Sequence, residues 1–142
     1  MQTETLTSID DVPAADWNAL AGDDQPFVRH EFLAAMEHTG AVGPGTGWQP
    51  CHQVVRDGDG RVQGTMPLYL KTDSWGEFVF DFGWADAYRR AGLPYYPKLV
   101  AAIPFTPVTG PRLLTGGSRD PVAASASLLT GARALASANG AS

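Results

Sequence analysis

The spacing of apolar residues predicts two helices in the first part of the chain. Residues 27–39 place apolar side chains on one helical stripe and polar ones off it, so an amphipathic helix ended by Gly40 is expected. The stripe contains Val28, Phe32, Leu33 and Met36. Before it, Pro13 suits a first helical position and Gly22 a stop, which predicts a shorter helix between them. Residues 6–9 are interpreted as a short opening strand.

Alternating apolar and polar residues predict a β-hairpin in the middle of the chain. Residues 52–56 and 61–70 flank the Asp-Gly-Asp-Gly turn at 57–60. On the return strand, apolar residues at every second position predict one buried face and one polar face. Pro67 interrupts this strand and has no N–H to donate, so we expect it at a sheet edge, or with a bulge or a splay there.

An aromatic-rich stretch, residues 76–111, follows the hairpin. Residues 77–84 carry a ring at every second position, which predicts a half-buried strand. The rings are those of Phe78, Phe80, Phe82 and Trp84. Short helices are predicted over 85–91 and 97–102, and an extended stretch broken by prolines over 105–114. Few generic domains place so many rings, prolines and hydrogen-bonding tips together, and a surface that grips a small substrate needs this mixture.

The last helix has the clearest boundaries. Asp120 is expected as its cap, Pro121 as its first residue and Gly140 as its end. Its predicted apolar face consists of Val122, Leu128, Leu129, Ala132 and Leu135. Helices and short strands therefore occur in one chain, which predicts an α+β fold.

Composition narrows the class of protein. With 142 residues the chain favours one domain, and 16 glycines and 11 prolines indicate many turns. The net charge of −5 argues against nucleic-acid binding, which needs clustered basic residues. The start is polar, with no secretory signal, and no apolar run reaches the roughly 20 residues of a membrane span. A single cysteine excludes an internal disulfide and favours a reducing, cytoplasmic location.

Several residues with reactive or ligating potential fit structural roles better. Cys51 has no identifiable base and is expected as a partly buried thiol. The glycine loop 43–47 lacks the Lys-Ser/Thr end of a phosphate-binding loop, and the turn 57–60 lacks the rest of a calcium loop. The three histidines have no ligating partners at metal spacing, so no metal site is predicted.

Six segments together resemble the FemAB-like N-acyltransferases of the acyl-CoA N-acyltransferase (GNAT-like) superfamily. They are residues 26–33, 43–50, 67–71, 76–91, 95–98 and 104–112. The resemblance covers nearly all of the chain to about Leu114. It implies a three-layer, GNAT-like arrangement in which helices flank a mixed, mostly antiparallel central sheet.

Proteins of this kind look like tandem repeats of a GNAT-like half and are more than twice as long. The resemblance therefore implies that residues 1–142 form a single incomplete domain, the N-terminal half, which ends before the strand that should follow its last helix. The missing C-terminal half would be a partner. Alone, such a half should expose a sheet edge and an apolar helix face, self-associate, and lack activity.

The implied reaction is transfer of an acyl or aminoacyl group from a thioester donor to an amine. It needs a positioned donor carbonyl, a proton acceptor and oxyanion stabilisation, but no covalent nucleophile. The expected co-substrate is acyl-CoA or another acyl thioester, with no permanently bound cofactor, and the acceptor is a small amine.

Candidate residues follow from the aromatic-rich stretch and the loop after it. Asp86 and Tyr96 are the candidate catalytic residues, since a carboxylate and a phenol can bind or deprotonate an amine. The candidate substrate-binding residues are Trp84, Tyr88, Tyr95, Lys98, Thr106 and Thr109. Donor phosphates would lie at a helix N-terminus, near Arg112, Gly116 and Gly117. The spacing there departs from the family's Arg/Gln-x-x-Gly-x-Gly/Ala pattern, which favours a capping loop.

Two other functions remain open at this point. The chain could be a non-catalytic GNAT-like module that binds substrate or partner, or an unrelated α+β ligand-binding domain. A packing role is the alternative for each candidate residue taken singly.

Overall fold

The computed structural model describes residues 1–141, and their elements confirm the α+β class. The helices are α1 (Ala14–Ala21), α2 (His30–His38), α3 (Phe82–Arg90) and α4 (Pro121–Asn139). The strands are β1 (Gln2–Leu6), β2 (Trp48–Pro50), β3 (His52–Arg56), β4 (Val62–Met66), β5 (Tyr69–Lys71) and β6 (Lys98–Val100). None of the helices within these residues combines the length and hydropathy that a membrane crossing requires.

The strands pair into two antiparallel sheets, ordered β1-β3-β4 and β2-β5-β6, where one central sheet was expected. The two sheets share one long hairpin. Gln53 pairs with Met66 and Pro50 with Tyr69, so the register continues unchanged from one sheet to the next. The strand pairing is interrupted opposite Pro67, between β4 and β5, and the register of the hairpin also shifts between Val55 and Arg56. In its sheet β4 lies at an edge. Pro67 itself belongs to neither strand, so the expectation of an edge position, a bulge or a splay at this residue stays a prediction.

His52 closes the gap that Pro67 leaves in the hairpin. Its Nδ1 accepts a hydrogen bond from the Leu68 N–H at 3.2 Å, so the ring proton is on Nε2. Nε2 then donates to Glu37 Oε1 of α2 at 3.0 Å. The imidazole is fully buried. One side chain therefore supplies an acceptor for the Leu68 N–H next to Pro67 and ties the hairpin to α2.

The first sheet lies between two helical layers. Val54 of β3 packs in a core with Trp17 and Leu33 from α1 and α2, whereas its neighbour Val55 packs against Leu128 of α4. Successive residues of a strand point to opposite faces, so both faces of the sheet are covered. The polar side chains of β4 are consequently buried as well, although the alternation suggested an exposed polar face.

Three predicted elements are wrong or displaced. Residues 77–84 were predicted as a strand, but residues 77–81 are irregular and residues 82–84 form the first turn of α3. Residues 98–100 form a strand where a helix was predicted. The opening strand β1 covers residues 2–6 instead of the predicted residues 6–9. The strand β2 was not predicted. The last helix is confirmed, with Asp120 Oδ1 accepting from the Ala123 N–H at 3.0 Å. On its predicted apolar face Leu128 is buried, while Val122 and Leu129 are exposed.

We expect His52→Ala to lower the free energy of unfolding by about 2 kcal/mol or more, because the Leu68 N–H loses its acceptor and the Glu37 carboxylate loses one of its donors. His52→Asn keeps an acceptor oxygen near the position of Nδ1 and should lose less. Urea unfolding followed by circular dichroism measures both variants. Equal losses for Ala and Asn would contradict the role of Nδ1 as a substitute for the interrupted strand pairing.

Candidate active site

A cavity of about 570 Å³ lies between two irregular segments, residues 76–81 and residues 106–112. The strand β6 and the residues that follow it, up to Ile103, also line the cavity. Most of the lining is apolar, with Phe78 and Val79 on the first segment and Val108 on the second. A concave, mainly apolar cavity with few polar groups is typical of a small-molecule site.

Hydrogen bonds hold the first wall of the cavity in place. The Trp75 carbonyl accepts from Trp48 Nε1 at 3.0 Å and from Lys71 Nζ at 2.7 Å. The Gly76 carbonyl accepts from the Phe105 N–H at 3.0 Å, which joins the two walls at their start. Gly76 has φ 78°, and a Cβ there would lie 2.5 Å from the Phe105 ring, so the position requires glycine.

Lys98, the first residue of β6, lies between two carboxylates of the first wall. Its Nζ donates to Glu77 Oε2 at 2.7 Å, to Ser74 Oγ at 3.0 Å and to Asp81 Oδ2 at close range. The Lys98 side chain is 7% exposed and that of Glu77 9%. Tyr95 donates from its hydroxyl to Asp81 Oδ2 at 2.6 Å. We call Glu77, Asp81 and Lys98 the acidic cluster.

The charges of the acidic cluster stabilise one another. Burial raises the pKa of Asp81, but hydrogen bonds from Lys98, Ser74 and Tyr95 outweigh it and lower that pKa to about 2. Burial lowers the pKa of Lys98, and here its bonds to Asp81 and Glu77 outweigh the effect and raise that pKa. Burial and the bond to Asp81 raise the pKa of the Tyr95 hydroxyl. At neutral pH Asp81 is therefore an ionised acceptor and a weak base.

Two buried carboxylate oxygens of the acidic cluster have no hydrogen-bond partner in the described part of the chain. Within residues 1–141, no group donates to the buried Glu77 Oε1 or Asp81 Oδ1. Both residues line the cavity. Buried polar atoms are rarely left without partners, and ionised oxygens form the strongest bonds with charged N–H donors. The arrangement suits the ammonium group of a bound amine.

Five of the sequence-predicted site residues line this cavity. They are Tyr95, Lys98, Thr106, Thr109 and Arg112. Thr106 donates from Oγ1 to the Pro104 carbonyl at 2.9 Å, and Arg112 donates to three backbone carbonyls of its own segment. Their roles stay predictions, but the structure brings them together.

The two candidate catalytic residues lie outside the cavity lining. Asp86 pairs with Arg89 and Arg90 on α3, and hydrogen bonds from Arg90 and Arg89 lower its pKa. Tyr96 shares a hydrogen bond of 2.6 Å with Ser74 Oγ, one step from Lys98. Tyr96 is therefore linked to the acidic cluster through Ser74, whereas Asp86 forms ion pairs with Arg89 and Arg90.

The remaining candidates lie apart from the cavity. Trp84 is 68% exposed on α3, and the Tyr88 ring packs edge-on against Tyr95 with 5.1 Å between centroids. Gly116 donates its N–H to the Leu20 carbonyl at 3.0 Å, and a Cβ on Gly117 would lie 2.8 Å from the Ala19 carbonyl. These glycines allow close packing against the end of α1.

Sequence reasoning missed Glu77 and Asp81, because it placed both on the polar face of a predicted strand. Two features of the sequence could have found them. Glu77 and Asp81 flank the apolar run 78–80, and Lys98 is the only basic residue in the segment 91–111 and so the only cation there that could pair with them. Within residues 1–141, no group of three or more His, Cys, Asp or Glu side chains could hold a metal ion. Burial raises the pKa of the Cys51 thiol to about 12, which leaves it a poor nucleophile.

We expect Asp81 to make the fold sensitive to acid. Its pKa falls from 3.8 to about 2 on folding, so its contribution is complete above pH 3.8 and is lost as the pH falls through about 2. The contribution is roughly 2 kcal/mol. Asp81→Asn should remove this part of the acid dependence in urea unfolding at a series of pH values. Asp59→Asn, in an exposed turn, is the control; an Asp81→Asn curve parallel to the original would refute the assignment.

Comparisons with known proteins give the family. The model of a family described as FemAB-like, peptidoglycan biosynthesis/recognition, matches residues 8–142. No curated protein and no solved structure shows a significant match. Because the match spans nearly the whole chain, the protein belongs to the FemAB-like family of peptidoglycan biosynthesis and recognition.

Proposed function

We propose that the protein binds an amine acceptor in the cavity beside Lys98 and serves the transfer of an acyl or aminoacyl group to that amine. Transfer of aminoacyl groups is a reaction of peptidoglycan biosynthesis, the process named for the family. The observation that carries the proposal is the pair of unpartnered carboxylate oxygens, Glu77 Oε1 and Asp81 Oδ1.

The charges and surfaces of the cavity support an amine as ligand. Two carboxylates and one lysine leave the acidic cluster with one net negative charge, which an ammonium group would neutralise. The Tyr95 ring lies beside the cluster, with its centroid 5.4 Å from Lys98 Nζ. Aromatic faces attract cations, and the apolar walls suit the carbon chain of the amine.

The remaining parts of the proposal concern the donor and the fold family. We propose acyl-CoA or another acyl thioester as co-substrate, with no resident cofactor, and a GNAT-like N-terminal half in the cytoplasm. The sheet between helical layers and the antiparallel strands support a GNAT-like arrangement. The lone thiol, Cys51, supports a reducing location.

One observation favours the alternative, a non-catalytic module that binds the acceptor. With a pKa of about 2, Asp81 would hold an ammonium group without removing its proton. Hydrogen bonds from Arg90 and Arg89 also lower the pKa of Asp86, so this carboxylate is a weak base as well. In that case a second protein segment would supply the base and the thioester site.

We expect Glu77→Gln to weaken binding of hexylamine by about tenfold, because a charge-assisted hydrogen bond becomes a neutral one. Isothermal titration calorimetry measures the binding, with Asp59→Asn as the matched control and circular dichroism as the check on folding. Release of CoA from acetyl-CoA in the presence of hexylamine measures the transfer.

The two measurements separate the alternatives. Hexylamine binding with CoA release that Glu77→Gln reduces would support the transferase. Binding without CoA release would favour the acceptor-binding module. Binding that is the same in Glu77→Gln and in the original protein would refute the proposed site.

A further inference from the structure

The two walls of the cavity carry opposite charges. The first wall, residues 76–81, has Glu77 and Asp81 as its only charged residues. The second wall, residues 106–112, has only Arg112. Both walls line one cavity and meet at the hydrogen bond between Phe105 and Gly76. With Lys98 included, the lining is neutral in sum but negative on one wall and positive on the other.

Arg112 is a partly buried cation without an anionic partner. Its Nη2 donates to the Val108 carbonyl at 2.9 Å, and its Nη1 to the Gly110 and Pro111 carbonyls at 3.2 Å. Among residues 1–141, no carboxylate contacts the guanidinium. Burial lowers its pKa, since no neighbouring charge offsets the loss of water. The carbonyls fix the direction of the side chain, and an anion in the cavity would neutralise it.

We propose that the ligand of this cavity is a zwitterion that places an ammonium group at Glu77 and Asp81 and a carboxylate at Arg112. The chemical class is that of an amino acid or a short peptide with a free carboxylate. The inference rests on the proposed binding of an amine at the acidic cluster, and it adds Arg112 as the residue that determines specificity for the other end of the ligand.

Charge balance favours a carboxylate over a phosphate at Arg112. One guanidinium forms a planar, two-pronged pair with one carboxylate and neutralises its single charge. A phosphate monoester carries about −1.5 to −2 at neutral pH, so one arginine would leave negative charge unbalanced in a partly apolar cavity. Apolar residues such as Val108 and Ile103 line the space between the walls and suit an aliphatic connection.

Matched ligands test the inference by calorimetry on the full chain. Aminocaproate carries both charged groups, whereas hexylamine and hexanoate each carry one of them on the same carbon chain. We expect aminocaproate to bind at least about tenfold more tightly than either. The best chain length depends on the distance between the acidic cluster and Arg112. Shorter and longer ω-amino acids are therefore tested as well, each against the amine of the same chain length. Aminohexyl phosphate tests the choice of anion.

Variants assign the two ends of the ligand. Arg112→Gln should reduce the affinity for aminocaproate to that for hexylamine and leave hexylamine binding unchanged. Arg112→Lys, which keeps the charge, should retain part of the preference, and circular dichroism checks that each variant folds. Glu77→Gln should weaken aminocaproate and hexylamine alike and spare hexanoate.

Three results would overturn the inference. They are ω-amino acids that bind no better than their amines, tighter binding of aminohexyl phosphate than of aminocaproate, and equal losses for amine and zwitterion in Arg112→Gln. These measurements use no acyl donor. A preference for zwitterions without CoA release would therefore support the inference and refute the transfer role. CoA release without a preference for zwitterions would support the transfer role and refute the inference.

Discussion

The contact of Lys98 with Glu77 and Asp81 is the interaction on which the site depends. It joins β6 to a segment that has no regular secondary structure, and it does so among side chains that are largely buried. Removing one partner of such a pair leaves an uncompensated charge, which is why the three residues act as a unit. The contact adds to the hydrogen bonds of Trp75 and Gly76 that hold the first wall, and it sets the charge of the acidic cluster.

The regular parts of the fold were predictable where local chemistry decides the structure. Asp120, Pro121 and Gly140 bound α4 because cap, first residue and stop are local requirements. The hairpin follows from the alternation of apolar and polar residues, and the interruption of its strand at Pro67 follows from the missing N–H of proline. The role of His52 was not predictable, since it depends on Leu68 and Glu37, which are distant in sequence.

The aromatic-rich stretch explains the main error. Rings at every second position predicted a strand over 77–84, yet Phe78, Phe80 and Trp84 are all more than half exposed. Glu77 and Asp81 bond to Lys98 instead, and within residues 1–141 the segment 77–81 pairs with no strand. Five candidate site residues nevertheless line the cavity. Four of them lie in the aromatic-rich stretch, which was interpreted as a ligand surface, and Arg112 follows it directly.

The protonation of Lys98 in solution tests this account most directly. Burial alone lowers the pKa of a lysine, whereas two adjacent carboxylates raise it, so the two effects differ in sign. Titration of the Lys98 side chain, followed by its carbon chemical shifts in NMR, should give a pKa above the ordinary value of 10.5. A pKa at or below 10.5 would mean that Glu77 and Asp81 do not hold the ammonium group, and the proposed site would lose its basis.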